Sequence, residues 1–396
     1  MLVPTYAAWQ NRATELKRWE LKITLFIPSL IGCGAERVMV NLANFLCQKG
    51  YDVTILNYRA NESPYALYGD VKRKFLYDKP ESYGFFNKVI RYFFTAQYVK
   101  HTVKDRARRL KKFIKKNDTD CYLVMLESAT AELLELREYV KCPIIVSERN
   151  YPESYPLNVK QKLYDLSRFA DGFVFQTESA KKCYGNVVKK SAVIPNAVNE
   201  LFVDSGDDVI DKTKVIINAG RLESQKNQRL LIKAFAESGL TDHTLEIYGD
   251  GPLKAELQDL IESLDIQDRV FLKGYSNDLK NIMKRSSLFV LSSDYEGIPN
   301  VLLEAMALGL PCVTTDFSGG GAHTLIDDGE NGIIVRAGDE KGLSAAIKTV
   351  LTDGVLAKKI SGGAKEKVKQ FYPDIVYGKW DAFIKEICND FVRSDS

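Results

Sequence analysis

The feature that most constrains this chain is a rhythm that runs through it twice. Short apolar stretches alternate with longer amphipathic ones. LKITLFIP (21–28), YDVTILNY (51–58), CYLVML (121–126), CPIIVS (142–147), GFVFQT (172–177) and SAVIPN (191–196) read as strands, with helical segments between most of them. KVIINAG, HTLEIYG, RVFLKG, SLFVLSS, LPCVTT and NGIIV then repeat the alternation. Strands separated by helices imply parallel sheets covered on both faces. The expectation is an α/β protein of two doubly wound domains facing a cleft, consistent with a length of 396 residues. The divisions read as an extension at 1–20, a first domain at 21–197, a polar, acidic linker at 198–213, a second domain at 214–373 and a closing amphipathic helix at 374–396.

Composition narrows the class. With 45% hydrophobic and 27% charged residues the chain fills large cores, which excludes a disordered, collagenous or coiled-coil protein. The seven cysteines contain no CxxC pair and there are three histidines, so neither a disulfide scaffold nor structural zinc fits, and a reduced compartment does. The longest stretch without a charge, Ile23 to Ala35, is 13 residues, well short of the roughly 20 that a spanning helix needs. The first 20 residues lack the apolar core of a signal peptide, so a cytoplasmic location is expected. The net charge of +3 hides a division: residues 1–200 carry +11 and residues 201–396 carry −8. A basic half points to an anionic partner.

In open α/β sheets, ligands sit outside the carboxyl ends of the strands, so the residues after each strand matter most. After 21–28 comes SLIGCGAERV, with Gly32 and Gly34 before a helix start whose amides would suit an anion. Gly-x-Gly alone favours an ordinary strand-to-helix turn, and the third glycine of a dinucleotide fingerprint is missing, with Arg37 and Val38 in that region. After 214–219 comes GRLESQKNQ, where Arg221 and Lys226 flank a turn. They suit a diphosphate, or are solvated surface cations. After 287–293 comes DYEGIPNVLLEAMALGLP. Glu296 there either meets sugar hydroxyls or is a charge favoured by the helix dipole. Glu304 is either a polar residue on the exposed side or a buried carboxylate that needs a partner.

The Glu-x7-Glu spacing of EGIPNVLLE, together with GRLESQKN, GCGAERV, VIPNAVN, YGDGPLKAEL and SGGGAHTLIDDGENGIIV, resembles a family 4 glycosyltransferase of the GT-B fold, which has two Rossmann-like domains. Within that family the chain is most similar to bacterial enzymes that extend glycans on polyprenyl-diphosphate carriers or in surface polysaccharides. The resemblance implies a retaining, metal-independent hexosyltransferase without a cofactor. It would move a hexosyl or N-acetylhexosaminyl group from a nucleotide-diphosphate sugar, usually UDP-linked, to a lipid-linked or polysaccharide acceptor. It implies that Arg221 and Lys226 bind the donor diphosphate, Glu304 the ribose, and Glu296 the donor sugar near its reacting carbon. Asn300 and Val301 would present backbone amides, Gly34 would approach the phosphates from across the cleft, and the base would lie near Gly249 and Gly274. Catalysis would rest on Glu296, Arg221 and Lys226.

One departure stands out. Many relatives carry a histidine where SERN (147–150) has Arg149, which reads as an acceptor or phosphate contact, or as a cleft-rim salt bridge. Asp118-Thr119-Asp120 resembles a metal-binding DxD but precedes a strand, and reads as a turn. Residues 85–117 hold eleven Lys/Arg against one acid, Asp105, with an apolar stripe of Phe86, Ile90, Phe93, Val99, Val103, Ala107, Leu110 and Ile114. That pattern predicts docking on an anionic membrane surface rather than on nucleic acid, placing the protein peripherally on the inner face of the cell membrane. A noncatalytic nucleotide-sugar-binding subunit and a nucleotide-sugar epimerase of the same fold are the competing readings.

Overall fold

The computed structural model describes residues 21–77, 95–203 and 212–394. The 1–20 extension, residues 85–94 of the basic stretch and residues 204–211 of the linker lie outside the described residues.

Thirteen strands form two sheets. The first contains β1 (Lys22–Phe26), β2 (Asp52–Arg59), β3 (Lys72–Tyr77), β4 (Cys121–Met125), β5 (Ile144–Ser147), β6 (Gly172–Phe175) and β7 (Ser191–Val193), in the order β3-β2-β1-β4-β5-β6-β7. The second contains β8 (Val215–Ala219), β9 (Thr244–Tyr248), β10 (Val270–Gly274), β11 (Leu288–Leu291), β12 (Cys312–Thr315) and β13 (Ile333–Val335), in the order β10-β9-β8-β11-β12-β13. Every pairing is parallel. Central strands such as β4, β5, β6 and β11 are buried along their whole length, as expected when helices cover both faces.

Strand order reverses between β1 and β4 in one sheet and between β8 and β11 in the other. These are the switch points, where the crevice for a ligand opens. The Gly32–Gly34 loop follows β1, Gly220-Arg221 follows β8 and the Glu296 loop follows β11. Sequence reading missed β3. Its KRKFLY puts Lys72 and Lys74 in solvent on an edge strand with one neighbour, which breaks the apolar run and protects the edge from foreign pairing.

The last helix, Pro373–Ser394, returns to the first sheet. Trp380 on it is fully buried, and a Cβ on Gly172 of β6 would stand 2.9 Å from Ile387 Cδ1. Tyr51 donates to Asp381 Oδ1 at 2.5 Å. Where the chain crosses between lobes, Val198 N donates to Phe371 O at 2.9 Å. One apolar cluster runs from Leu25 and Ile55 through Val198, Val376 and Trp380 to Leu302 and Met306, so the lobes share a core.

Candidate functional site

At the carboxyl ends of the second sheet, three strand ends meet through glycine. Gly220 N donates to Tyr248 O and Gly249 N to Gly274 O, both at 2.9 Å. Gly249 has φ +134°, and a Cβ on it would lie 1.9 Å from Gly220 O. Only glycine permits that crowding. Gly274, at φ +72°, faces open space.

Beside them the turn Ser224–Lys226 and the loop after β11 are zipped together. Ser292 Oγ donates to Lys226 O at 3.0 Å, Gln225 Nε2 to Tyr295 O at 2.9 Å, and Asp294 N to Gln225 O at 2.9 Å. This brings Lys226 Nζ onto Glu296 Oε1, with both side chains nearly buried. Glu296 also accepts from Ser293 Oγ at 2.9 Å and Gln225 Nε2 at 3.3 Å. The two residues singled out in separate motifs are therefore one cluster. Arg221 is held differently: its side chain is 63% exposed and pairs with Glu223 at 3.0 Å.

The helix Asn300–Ala307 begins behind Pro299. Leu302 and Leu303 are the first residues to donate back to Pro299 O, so the amides of Asn300 and Val301 stand ahead of the helical ladder. Asn300 Nδ2 reaches Gly34 O at 3.5 Å, and a Cβ on Gly34 would stand 3.2 Å from that same nitrogen. Gly34 and Asn300 thus meet across the cleft.

Two open alternatives are decided here and one expectation is corrected. Glu304 is not on an exposed face: it is 3% exposed and ion-paired to Arg37 Nη2 of the first lobe at 2.5 Å. Burial pushes its carboxyl up, and Arg37 opposes that. The loop amides before the first helix are not open to an anion, because Glu36 takes them. Its carboxylate accepts from Ile31 N and Gly32 N at 2.7 Å, Cys33 N at 3.0 Å and Ser29 Oγ at 2.7 Å. Arg149 does not reach the cleft rim. It is 7% exposed, Nη2 donates to Asn196 Oδ1 at 2.8 Å, and Nε and Nη1 have no partner. A phosphate cannot touch a guanidinium enclosed in this way.

Asp118 and Asp120 lie at the opposite, amino end of the strands. Asp120 accepts from Lys22 N at 2.7 Å and Asp118 pairs with Lys22 Nζ, so the DxD stitches β4 to β1. Sequence reading missed Arg37, Gln176, Asn196 and Gln225, which act through long-range contacts, and Ser293, which acts on Glu296 three residues further on.

Two doubly wound lobes, with a cation–carboxylate cluster at the carboxyl ends of the second sheet, define the class of architecture: the chain has the GT-B fold, and its sequence is similar to glycosyltransferases. Residues 205–367 match the model of the family described as Glycosyl transferases group 1. Over 380 residues, 93% of this chain and 99% of the relative, it is 28% identical to the GalNAc-alpha-(1->4)-GalNAc-alpha-(1->3)-diNAcBac-PP-undecaprenol alpha-1,4-N-acetyl-D-galactosaminyltransferase of Campylobacter jejuni. It is 31% identical over 217 residues, 48% of this chain and 56% of the relative, to the UDP-Gal:alpha-D-GlcNAc-diphosphoundecaprenol alpha-1,3-galactosyltransferase of Escherichia coli. Among solved structures, sucrose-phosphate synthase from Thermosynechococcus elongatus superposes with a TM-score of 0.79 at 17% identity, covering 93% of this chain and 99% of that one. HepE from Anabaena, solved with UDP and glucose, superposes at 0.73 with 18% identity, covering 93% and 100%.

Proposed function

We propose that this enzyme transfers a hexosyl or N-acetylhexosaminyl group, with retention, from a UDP-sugar to a glycan on a polyprenyl-diphosphate carrier. The observation that carries the reading is the Lys226–Glu296 cluster at the switch point of the second sheet, with Gly34 of the other lobe meeting Asn300 at the start of the helix that follows it. The acceptor class rests on relatives whose names specify undecaprenol diphosphate glycans, and the nucleotide on a neighbour solved with UDP.

Breaking the sugar–phosphate bond leaves negative charge on the departing diphosphate. Lys226, Arg221 and the amides of Asn300 and Val301 stabilise it, as fixed donors do in an oxyanion hole. These cations do the work asked of a metal ion, so no metal is assigned. The acceptor hydroxyl oxygen bonds to the anomeric carbon on the face that the phosphate leaves, and its proton passes to the departing phosphate oxygen. Glu296, held by Lys226 and Ser293, contacts the donor sugar. Glu304 takes the ribose hydroxyls once Arg37 gives way, and the base lies near Gly249 and Gly274. The boundaries 21–197 and 214–373 mark the acceptor and donor domains. The basic helix Thr95–Lys116 docks the enzyme on the cytoplasmic leaflet. Among the described residues no helix is long and apolar enough to cross a membrane.

Thermal-shift measurements with UDP-, GDP- and ADP-sugars test the donor. Stabilisation by UDP-sugars, followed by transfer to a polyprenyl-diphosphate glycan, is expected. Indifference to all three would end the reading.

A further inference from the structure

Asn196, which ends the VIPN run after β7, is 4% exposed and sits where the lobes touch. Its Oδ1 accepts from Arg149 Nη2 and from Gln176 Nε2, both at 2.8 Å. Its Nδ2 donates to Ile298 O at 2.8 Å and to Asn300 Oδ1 at 2.7 Å. Gln176 Oε1 in turn accepts from Ile298 N at 3.3 Å. Two carboxamides of the first lobe thus hold the backbone of the turn that starts the helix Asn300–Ala307. Gly297 makes the approach possible, since a Cβ there would stand 1.9 Å from Gln176 Oε1 and 3.0 Å from Arg149 O.

A carboxamide can present either end, so an Asn–Gln pair by itself has two arrangements. If both flipped, Asn196 Oδ1 would face the carbonyl of Ile298 and Gln176 Nε2 would face its amide. Arg149 removes that alternative. A guanidinium only donates, so the group facing it must show oxygen, and Nδ2 is then aimed at the turn. The guanidinium is enclosed near the Trp380 ring, 5.9 Å from its centroid, and two of its nitrogens are unpartnered. Among the described residues no carboxylate pairs with it. A buried charge with so little compensation is costly to the fold.

We infer that Arg149 is a positioning residue for transfer: it fixes the Asn196 carboxamide so that Asn196 and Gln176 hold the Gly297–Asn300 turn, and with it the amides of Asn300 and Val301, against the donor. The inference rests on the reading that the donor diphosphate lies at that helix start. It also accounts for an arginine where many relatives carry histidine without giving it any contact with substrate.

Two variants test it against a merely structural role. Asn196→Asp gives the buried guanidinium a counter-charge but removes the Nδ2 donor. Arg149→Met removes the buried charge and the orienting donor together. Arg149→Met is expected to melt no lower than wild type and Asn196→Asp somewhat lower, because Ile298 O and Asn300 Oδ1 lose their donor, and both are expected to lose about ten- to a hundredfold in kcat/KM, with donor KM raised. Wild-type kcat/KM in Arg149→Met overturns the inference, as does a loss that tracks the melting temperature in both variants. If Asn196→Asp does not fold, Arg149→Met decides alone. Wild-type protein that neither binds nor transfers from a UDP-sugar would instead remove the donor reading beneath it.

Discussion

Lys226 and Arg221 carry the same charge but are held differently, and this separates two experiments. Lys226 is enclosed with Glu296, so replacing it leaves a nearly buried carboxylate with only Ser293 and Gln225 as donors. Lys226→Met should lower kcat by about 10²–10³-fold, the cost of losing one fixed donor to a developing anion. It should also cost on the order of 1–3 kcal/mol of stability, because a buried acceptor loses its partner. Arg221 is mostly in solvent, and its pairing with Glu223 is worth little. Arg221→Ala should therefore cut turnover while leaving the melting temperature almost unchanged. Steady-state kinetics beside thermal melts of both variants check this, and normal turnover in both removes the diphosphate assignment. A second residue-scale prediction concerns Glu148, which is buried and accepts from Tyr155 OH at 2.7 Å, Tyr184 OH at 2.9 Å and Asn150 N at 3.1 Å. Burial pushes its carboxyl above the ordinary 4.5, with these donors opposing. The folded state therefore holds this proton where the unfolded chain has released it. The stability it contributes is full below the unfolded value and is lost as pH rises through the folded one. Glu148→Gln should gain in melting temperature relative to wild type as pH rises from about 5 to 8, and a flat difference would contradict the burial argument.

At the scale of elements, the strands and the motifs after them were legible, because apolar runs, glycines and charges recur locally. Lys226 and Glu296 could be named from spacing. Their contact, 70 residues apart, could not, because it depends on β8 and β11 being neighbours. Arg37 was passed over for the same reason: its partner Glu304 lies in the other lobe. Glu36 shows a subtler limit. The amides of the GCG turn left an anion site open beside the favoured ordinary turn, while the carboxylate that takes them stood one helical turn further on. The basic helix Thr95–Lys116 was read as an amphipathic face, and its inner side proves more engaged than that. Leu110 and Ile114 are buried, Arg106 pairs with Glu132 at 2.5 Å, and Arg109 lies over the Tyr77 ring, whereas Val103 of the expected stripe is 36% exposed. Lys104, Lys112 and Lys116 remain exposed. Each basic residue near an anionic leaflet is worth about 1 kcal/mol. Reversing all three to Glu should lower partitioning onto phosphatidylserine-containing vesicles at least about a hundredfold and leave neutral vesicles unaffected. Equal sedimentation of wild type and variant would exclude this helix as the docking face.

At the scale of the molecule, the order of elements makes a claim that no local pattern contains. The sequence marks Pro373–Ser394 as amphipathic but not which sheet it covers. It covers the first, through Trp380, Phe383, Ile384 and Ile387, all buried. Burying four such side chains is worth roughly 6–12 kcal/mol at about 1.5–3 each. That is comparable to the net stability of a whole domain, about 5–15 kcal/mol. The first lobe is thus closed by the end of the chain, and the second is inserted between its parts. The crossing points are held together by Val198 N on Phe371 O. The two lobes should then differ in autonomy. A fragment of residues 21–203 should be insoluble or fail to melt cooperatively. The same fragment joined by a flexible linker to residues 373–394 should regain a cooperative melt, because the linker replaces the inserted lobe while the helix restores the missing face. Circular dichroism melts of the two fragments decide it. A cooperative transition in 21–203 alone would mean that the helix decorates the lobe rather than completes it.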